Sequence, residues 1–418
     1  MSEGLRLKVL VASCVFPPEP VVSAKTSADV AQYLHAQGHE VLVACPTPTR
    51  NVAAEGVDEK IAELKMPFPV SRLFAFSSKK SSFVSRFLEN ISFGLSVFFF
   101  ILRQRKVDVI YANVWPLFSL GLLMMAARLK DIKVVASVQD LYPESLAVQK
   151  RIEEAGGIYR TLLKLDTLIA RNCDHLVVIS DGFHRAYTET RKIDASKVTL
   201  VRNWVQGSQI QALAKDQARA ELDKVMGLRL APEQFLFVYG GNMGVASGLD
   251  EFMSYLDGVD PRAVFLLAGD GSLVPELKRQ VQARSLESRC HFLSPWPFEL
   301  TPAVFGAADA LLLPTAAGQE FASVPSKLIT YMLAGRPILL LADERSESAI
   351  ELGKSDAGHT IGVRSNAAVL EGMSYLLDAS PERLATMGRN GREYAQEFYS
   401  AERAVPKLKA IVENVYEA

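Results

Sequence analysis

Pro325, Ser326 and Lys327 stand where a loop turns into a helix and could bind an anion. Ser326 directly precedes an apolar run at helical spacing and is predicted to cap the helix, which Gly335 is predicted to end. The free N–H groups and the dipole of a helix start favour negative charge, and Lys327 would add a full positive charge. A phosphate group therefore fits this position. The alternative is an ordinary connection with a solvated lysine.

Two other strand-to-loop transitions in the same half of the chain supply glycine. The strand predicted over 235–239 leads into Gly241, Asn242 and Gly244, and the next strand leads into Gly269. Glycine lets the backbone approach a diphosphate closely, and loops at the carboxyl ends of parallel strands line one crevice. The spacing matches neither the dinucleotide-binding fingerprint nor the phosphate loop of NTPases, so neither nicotinamide chemistry nor NTP hydrolysis is indicated.

Two carboxylates follow a predicted strand in the first half of the chain. Asp140 and Glu144 come after the apolar residues 134–138, at a strand end where residues of a cleft are expected. Such a pair could orient an acceptor hydroxyl or amine and accept its proton. The alternative makes Asp140 a turn residue that bonds its own backbone.

These residues must be positioned by strands that alternate with helices along the whole chain. The alternation is typical of mainly parallel sheets, and 418 residues exceed the length of one ordinary domain. We therefore expect an α/β protein with two Rossmann-like domains, over residues 1–206 and 207–399. The predicted strands are 7–12, 40–44, 107–112, 133–138, 175–179, 198–202, 235–239, 263–268, 290–293, 310–314, 338–341 and 359–363.

The composition narrows the class of protein. A hydrophobic content of 49% with 22% charged residues suits a globular fold, and a net charge of −1 argues against a nucleic-acid partner bound through its phosphates. The four cysteines are far apart and the six histidines lack metal-ligand spacing, so no metal site is predicted. The N-terminus shows no secretory signal, which predicts a cytoplasmic location.

The apolar segment 91–102 is too short to cross a bilayer as a helix. Basic residues and phenylalanines surround it over residues 72–106, which is typical of an element that rests on an anionic membrane surface. The sequence therefore predicts peripheral membrane contact, at the inner face. The alternative is a buried helix with basic ends.

Eight short motifs follow one another in a characteristic order. They are Phe16-Pro-Pro-Glu-Pro20, Gly38-His-Glu-Val41, Val138-Gln-Asp-Leu-Tyr-Pro-Glu144, Val178-Ile-Ser-Asp181, Asn203-Trp204, Tyr239-Gly-Gly-Asn-Met-Gly244, Gly269-Asp-Gly271 and Pro325-Ser-Lys327. With them the chain resembles, nearly end to end, a family-4 retaining glycosyltransferase of the GT-B architecture. The resemblance points to the branch that builds bacterial surface polysaccharides, including colanic-acid and fucosamine-type transferases.

The resemblance implies two domains that face a cleft. The domain over 207–399 would hold a nucleotide diphosphate-sugar, most simply a UDP-sugar, as substrate without any cofactor. The domain over 1–206, with a crossover helix over 400–418, would hold a glycan or lipid-linked acceptor. The transfer would retain configuration at the anomeric carbon, with Lys327 stabilising the departing diphosphate in place of a metal ion.

The resemblance also assigns individual contacts to the two substrates. Trp296 falls where relatives contact the nucleotide base, and Glu320 could reach the donor sugar. In the first loop, Pro18 rigidifies the turn, Ser23 or Thr26 could cap the next helix and Lys25 lies near that helix start. Each of these assignments has a structural alternative. Trp296 could be a packing residue and Lys25 a solvated side chain, and the simpler interpretation of Glu320 is a solvent-facing loop residue.

Some positions depart from the family pattern. The paired glutamates that often bracket the helix near 323–334 are replaced by Ala322 and Thr330, and Asn242 and Ser247 stand where many relatives carry Arg and Lys. Two alternatives therefore stay open beside an active transferase. One is a nucleotide-sugar epimerase of the same architecture, and the other is a catalytically silent subunit that binds a partner.

Overall fold

A computed structural model describes residues 5–19, 21–48, 65–76, 83–113, 117–148, 151–154, 156–205, 212–317 and 324–418. Its contacts divide the chain into two units, one of Met1–Trp204 with Ala401–Ala418 and one of Val205–Ser400. The boundary predicted after residue 206 lies beside this division. The binding role predicted for each unit stays a prediction.

The first unit contains a seven-stranded parallel sheet in the order β3-β2-β1-β4-β5-β6-β7. The strands are β1 Lys8–Ser13, β2 Glu40–Pro46, β3 Val70–Leu73, β4 Val109–Asn113, β5 Lys133–Val138, β6 His175–Val178 and β7 Val198–Leu200. The helices are α1 Val22–Ala36, α2 Phe83–Arg103, α3 Leu117–Leu129, α4 Glu144–Val148, α5 Gly157–Asn172 and α6 Asp181–Arg185. Because β1 and β4 are neighbours while the chain order reverses between them, this pair is the switch point of the sheet.

The second unit repeats this architecture with six parallel strands in the order β10-β9-β8-β11-β12-β13. The strands are β8 Phe235–Gly240, β9 Ala263–Ala268, β10 Cys290–Leu293, β11 Ala310–Pro314, β12 Ile338–Leu341 and β13 Gly358–Ile361. The helices are α7 Lys215–Met226, α8 Leu249–Ser254, α9 Val274–Ala283, α10 Thr301–Ala307, α11 Ser326–Ala334, α12 Glu347–Ser355, α13 Asn366–Leu377 and α14 Pro381–Phe398. Here the switch point lies between β8 and β11.

The strands are apolar on both faces because helices cover both sides of each sheet. On β1, Leu10 faces the core beneath α2 and α3, while Val9 and Val11 face the opposite core. The last helix, α15 (Ala401–Glu417), packs its buried residues Leu408 and Val412 into that second core. The expected partner surface for the C-terminal tail is thus the sheet of the first unit.

The predicted fold class, α/β with two mainly parallel sheets, is confirmed, but one strand was missed. The edge strand β3 is only four residues long and half-buried throughout, so it shows no apolar run. Arg72 belongs to β3, although the sequence placed it among the basic residues around a membrane element. Its guanidinium donates to the carbonyls of Pro17 and, at 3.2 Å, Pro46, and therefore holds the loop after β1.

Candidate active site

The glycine-rich loop follows β8 at the switch point of the second sheet. Neighbouring strands there send their connections to opposite sides, which leaves a crevice at their carboxyl ends. The loop after β8 leads to α8, and the loop after β11 leads to α11. The residues predicted to hold a diphosphate therefore start from adjacent strands.

Backbone packing explains two of the glycines. Gly241 and Gly269 have φ angles of +143° and +144°, which side chains rarely allow. A methyl group at Gly269 would overlap the carbonyl of Gly241, whose N–H donates to the Ala268 carbonyl at 2.9 Å. Gly269 thus lets the loops after β8 and β9 touch. The packing of the backbone explains this glycine, and its predicted contact with the donor stays a prediction.

Asn242 is the exposed member of the glycine-rich loop. Its backbone carbonyl accepts a hydrogen bond from the Tyr239 hydroxyl at 2.6 Å, which fixes the orientation of the peptide between Asn242 and Met243. A methyl group at Gly244 would lie 3.2 Å from the amide nitrogen of Asn242, so this side chain lies over the loop. Ser247 is buried, and its Oγ accepts from the Leu249 N–H at 3.3 Å at the start of α8.

Lys327 lies against the glycine-rich loop. Its Nζ donates to the Tyr239 hydroxyl and sits 3.9 Å from the centroid of that ring. A methyl group at Gly241 would lie 2.8 Å from Lys327 Cε and 2.9 Å from Nζ, so a side chain there would displace the ammonium from this position. Burial lowers the pKa of Lys327 to about 8. The structure thus brings together the two elements that the sequence assigned to the diphosphate.

The start of α11 differs from the prediction. The N-cap position is Pro325, without a side-chain hydrogen bond, and Ser326 is the first helical residue. The prediction that Ser326 caps the helix is therefore wrong, because its exposed side chain lies one residue too late. Pro325 supplies no side-chain cap, so within the described residues the first N–H groups keep their capacity to donate. The predicted end is confirmed, since Gly335 is left-handed with a φ angle of +69°.

Aromatic side chains support this loop from beneath. The buried Tyr331 hydroxyl accepts from the Gly240 N–H at 2.8 Å, and its ring meets Phe305 edge-on. Trp296 packs edge-on against Phe305 at 5.6 Å, and its Nε1 has no hydrogen-bond partner among the described residues. Trp296 therefore packs next to the loop, since a methyl group at Gly240 would lie 3.1 Å from its ring. The base contact itself stays a prediction.

Sequence reasoning missed Tyr239 and Tyr331. Both are fully buried, yet their hydroxyls bond the glycine-rich loop and one of them holds Lys327. The available signal for Tyr239 was its position. It ends a strand whose other residues are aliphatic or phenylalanine, and two glycines follow it directly. Glu320 and Ala322 lie outside the described residues. Thr330, at the other position of the missing acids, donates to the Ser326 carbonyl at 2.9 Å.

The acidic pair of the first unit is divided between two environments. Asp140 is half-buried, two residues past the end of β5. Glu144 begins α4 and forms an ion pair with Arg191 at 2.9 Å. The ion pair ties this carboxylate to a buried guanidinium that needs an anionic partner. This ion pair gives Glu144 a structural role and argues against its predicted role as the proton acceptor, while the predicted role of Asp140 stays a prediction.

Arg191 explains why Glu144 is held. Its guanidinium is 2% exposed, forms a second ion pair with Asp166, donates to the Tyr142 carbonyl at 2.8 Å and lies 4.7 Å from the Tyr187 ring centroid. Burial raises the pKa of Asp166 and the guanidinium opposes that shift. A charge this deep needs both carboxylates, so the cluster fixes α4 beside the turn that follows α6.

The loop after β1 carries the predicted acceptor residues. Pro18 is half-buried and Lys25 is exposed on α1. Helix α1 begins at Val22 without a side-chain cap, so the prediction that Ser23 caps it is wrong. Ser23 already lies in the first turn, where its carbonyl accepts from the Ser27 hydroxyl at 2.8 Å.

A buried polar cluster that the sequence did not reveal sits at the switch point of the first sheet. Asn113, at the end of β4, donates to Ser27 Oγ at 2.7 Å, and Ser27 Oγ lies 2.9 Å from Ser13 Oγ at the end of β1. These bonds tie α1 to the ends of both central strands. Across the described residues, no group of His, Cys, Asp or Glu side chains could hold a metal ion. No described helix is both long and apolar enough to cross a membrane.

Comparison with known proteins shows what this chain is similar to. Residues 23–204 match the glycosyl transferase 4-like domain. The Escherichia coli K12 protein WcaI, named as a colanic acid biosynthesis glycosyl transferase, is 26% identical over 355 residues, covering 82% of this chain and 84% of WcaI. The chain is similar to family-4 glycosyltransferases.

Other relatives agree. WbjE of Pseudomonas aeruginosa, named as a glycosyltransferase, is 24% identical over 316 residues, which cover 74% of this chain and 75% of WbjE. The crystal structure of Anabaena Alr3699/HepE in complex with UDP and glucose superposes with a TM-score of 0.67 at 15% identity, over 98% of this chain and 100% of the other.

The predicted resemblance to family-4 glycosyltransferases and the predicted GT-B fold are confirmed. These findings give no support to the epimerase alternative.

Proposed function

We propose that this glycosyltransferase moves a sugar from a UDP-sugar to a glycan or lipid-linked glycan acceptor, with retention of configuration and without a metal ion. The observation that carries the proposal is the Lys327 ammonium, held against Gly241 at the switch point of the second sheet. A diphosphate placed there meets a positive charge, a glycine-rich loop and a helix start at once.

The chemistry requires stabilisation of the leaving group. When the bond from the anomeric carbon to the donor oxygen breaks, the diphosphate gains negative charge that a fixed cation can neutralise. Lys327 and the free N–H groups at the start of α11 supply donors that need little reorganisation, because Tyr239 already holds the ammonium in place. In a comparable electrostatic site, one such donor is worth about 2.7–4 kcal/mol.

Support for the donor comes from the fold neighbour crystallised with UDP and glucose. In the proposed complex, Asn242 and Gly244 contact the diphosphate, Trp296 contacts the base and Glu320 lies near the donor sugar. The hexosyl or N-acetylhexosaminyl nature of the sugar is part of this proposal.

The acceptor is proposed to bind the first unit. Pro18, Ser23 and Lys25 of the first loop would contact it, and Asp140 would orient the attacking hydroxyl. In a front-face displacement the departing diphosphate helps to take the acceptor proton, so no protein nucleophile is needed. The name of WcaI, which refers to colanic acid biosynthesis, favours a surface-polysaccharide precursor.

We also propose that the enzyme works at the inner face of the membrane, in contact with it through residues 72–106. Phe74 is 72% exposed and Phe99 is 52% exposed, and α2 ends in basic sequence from Arg103. Lys79 and Lys80 lie outside the described residues.

The test uses the full-length protein with a panel of UDP- and GDP-sugars. We expect thermal stabilisation by one UDP-sugar, nucleotide release that persists in EDTA, and an α- or β-linked product that keeps the donor configuration by NMR. Lys327→Met should lose donor stabilisation, whereas Lys278→Met, an exposed lysine on α9, should not. Strict metal dependence or an inverted product would contradict the mechanism. Binding of donor and partner protein without turnover would indicate the silent-subunit alternative.

A further inference from the structure

The outer surface of α3 and α5 carries an open apolar groove of about 600 Å³. Met125, Leu129 and Leu168 in its walls are 58%, 69% and 58% exposed. Exposed apolar surface of this kind usually marks a binding site. The transfer chemistry proposed above does not use this surface.

The groove arises from close helix packing at its floor. A methyl group at Gly121 would lie 3.2 Å from Ile169 Cδ1, so the glycine lets α3 and α5 approach while their larger side chains form the walls. At one end Phe118 meets the Phe87 ring edge-on at 5.0 Å. The groove is therefore continuous with the exposed aromatic face of α2.

The other end of the groove is polar and basic. Arg128 and Asn172, which bond each other, are the polar residues of the lining. Lys130 Nζ donates to the Gln104 carbonyl at 3.0 Å and so brings the end of α2 to the same place. The exposed basic residues of this end are Arg103, Arg105, Lys106, Arg128 and Lys130, against the acids Asp108 and Asp131. Positive charge is in excess.

We propose that the groove binds one hydrocarbon chain of an anionic membrane lipid, with the lipid phosphate at Arg128 and Lys130. An amphiphile with one charged end matches a groove that is apolar along its length and cationic at one end. A protein partner would have to supply both an apolar ridge and an acidic terminus to match it equally well. The inference rests on the proposed membrane contact and extends it from α2 to a specific lipid site.

Flotation with vesicles tests the site. Leu168→Gln should lower partition onto vesicles of phosphatidylcholine mixed with phosphatidylglycerol by about tenfold, because the lipid chain would bury one apolar side chain fewer. Arg128→Gln with Lys130→Gln should remove the preference for these vesicles over pure phosphatidylcholine. The matched controls, Val363→Gln and Arg345→Gln, change an exposed valine and an exposed arginine of the second unit and should bind as wild type.

A second measurement separates chain insertion from surface adsorption. The fluorescence of the tryptophan introduced by Leu168→Trp should be quenched by lipids with brominated chains, whereas that of the tryptophan introduced by Val363→Trp should not. If wild type floats but Leu168→Gln floats equally well and Leu168→Trp is not quenched, the lipid site is refuted and the membrane contact stands. If the wild-type protein does not float with the vesicles, both the lipid site and the proposed membrane contact are refuted. A dimer in solution that Leu168→Gln dissociates would assign the groove to a second copy and overturn the inference.

Discussion

The pKa of Lys327 makes the affinity for UDP dependent on pH above neutrality. Burial beside Tyr239 lowers this pKa to about 8, and a bound diphosphate would raise it again because the charges attract. Binding therefore takes up a proton once the pH exceeds the pKa of the free enzyme. The ammonium is about 90% protonated at pH 7 and about 10% at pH 9, so affinity should fall about tenfold, or ~1.4 kcal/mol, over that range.

The assay is isothermal titration calorimetry of UDP at pH 7, 8 and 9 in buffers of different ionisation enthalpy. Wild type should show proton uptake that grows with pH. Lys327→Arg should bind at all three pH values without this uptake, because a guanidinium stays charged. Comparison at equal pH cancels the titration of UDP itself. An identical pH dependence in wild type and Lys327→Arg would refute the reasoning, as would unchanged affinity in Lys327→Met.

Three other changes test the surroundings. Tyr239→Phe removes the acceptor of Lys327 and the donor to Asn242, so UDP affinity by calorimetry should fall about tenfold or more while thermal stability changes less. Gly269→Ala should destabilise the fold by about 2 kcal/mol or more in urea unfolding, whereas Gly353→Ala, which meets no neighbour, should not. Arg191→Met should lower the free energy of unfolding by about 3–5 kcal/mol, because two carboxylates lose their partner. If this variant instead loses activity while its stability is unchanged, a catalytic role for Glu144 would be restored.

Local pattern predicted most of the strands because both sheets are parallel and buried on both faces. Such strands are continuous apolar runs, and they stand out from the helical spacing between them. The edge strand β3 has neither length nor burial, so it left no pattern. Helix starts were less predictable, since Ser326 and Ser23 are good cap residues that lie one or two positions inside the helix.

The sequence by itself determined the α/β class, the glycines at the strand ends and the presence of a lysine at a helix start, because each depends on neighbours within a few residues. Only the tertiary structure decided that Lys327 meets Tyr239 and Gly241, and that Glu144 is held by Arg191. These pairs are distant in the chain and meet because β8 lies beside β11 and because a buried guanidinium requires anions. The order of strands in a sheet and the pairing of buried charges depend on long-range contacts, which no local pattern of residue types specifies.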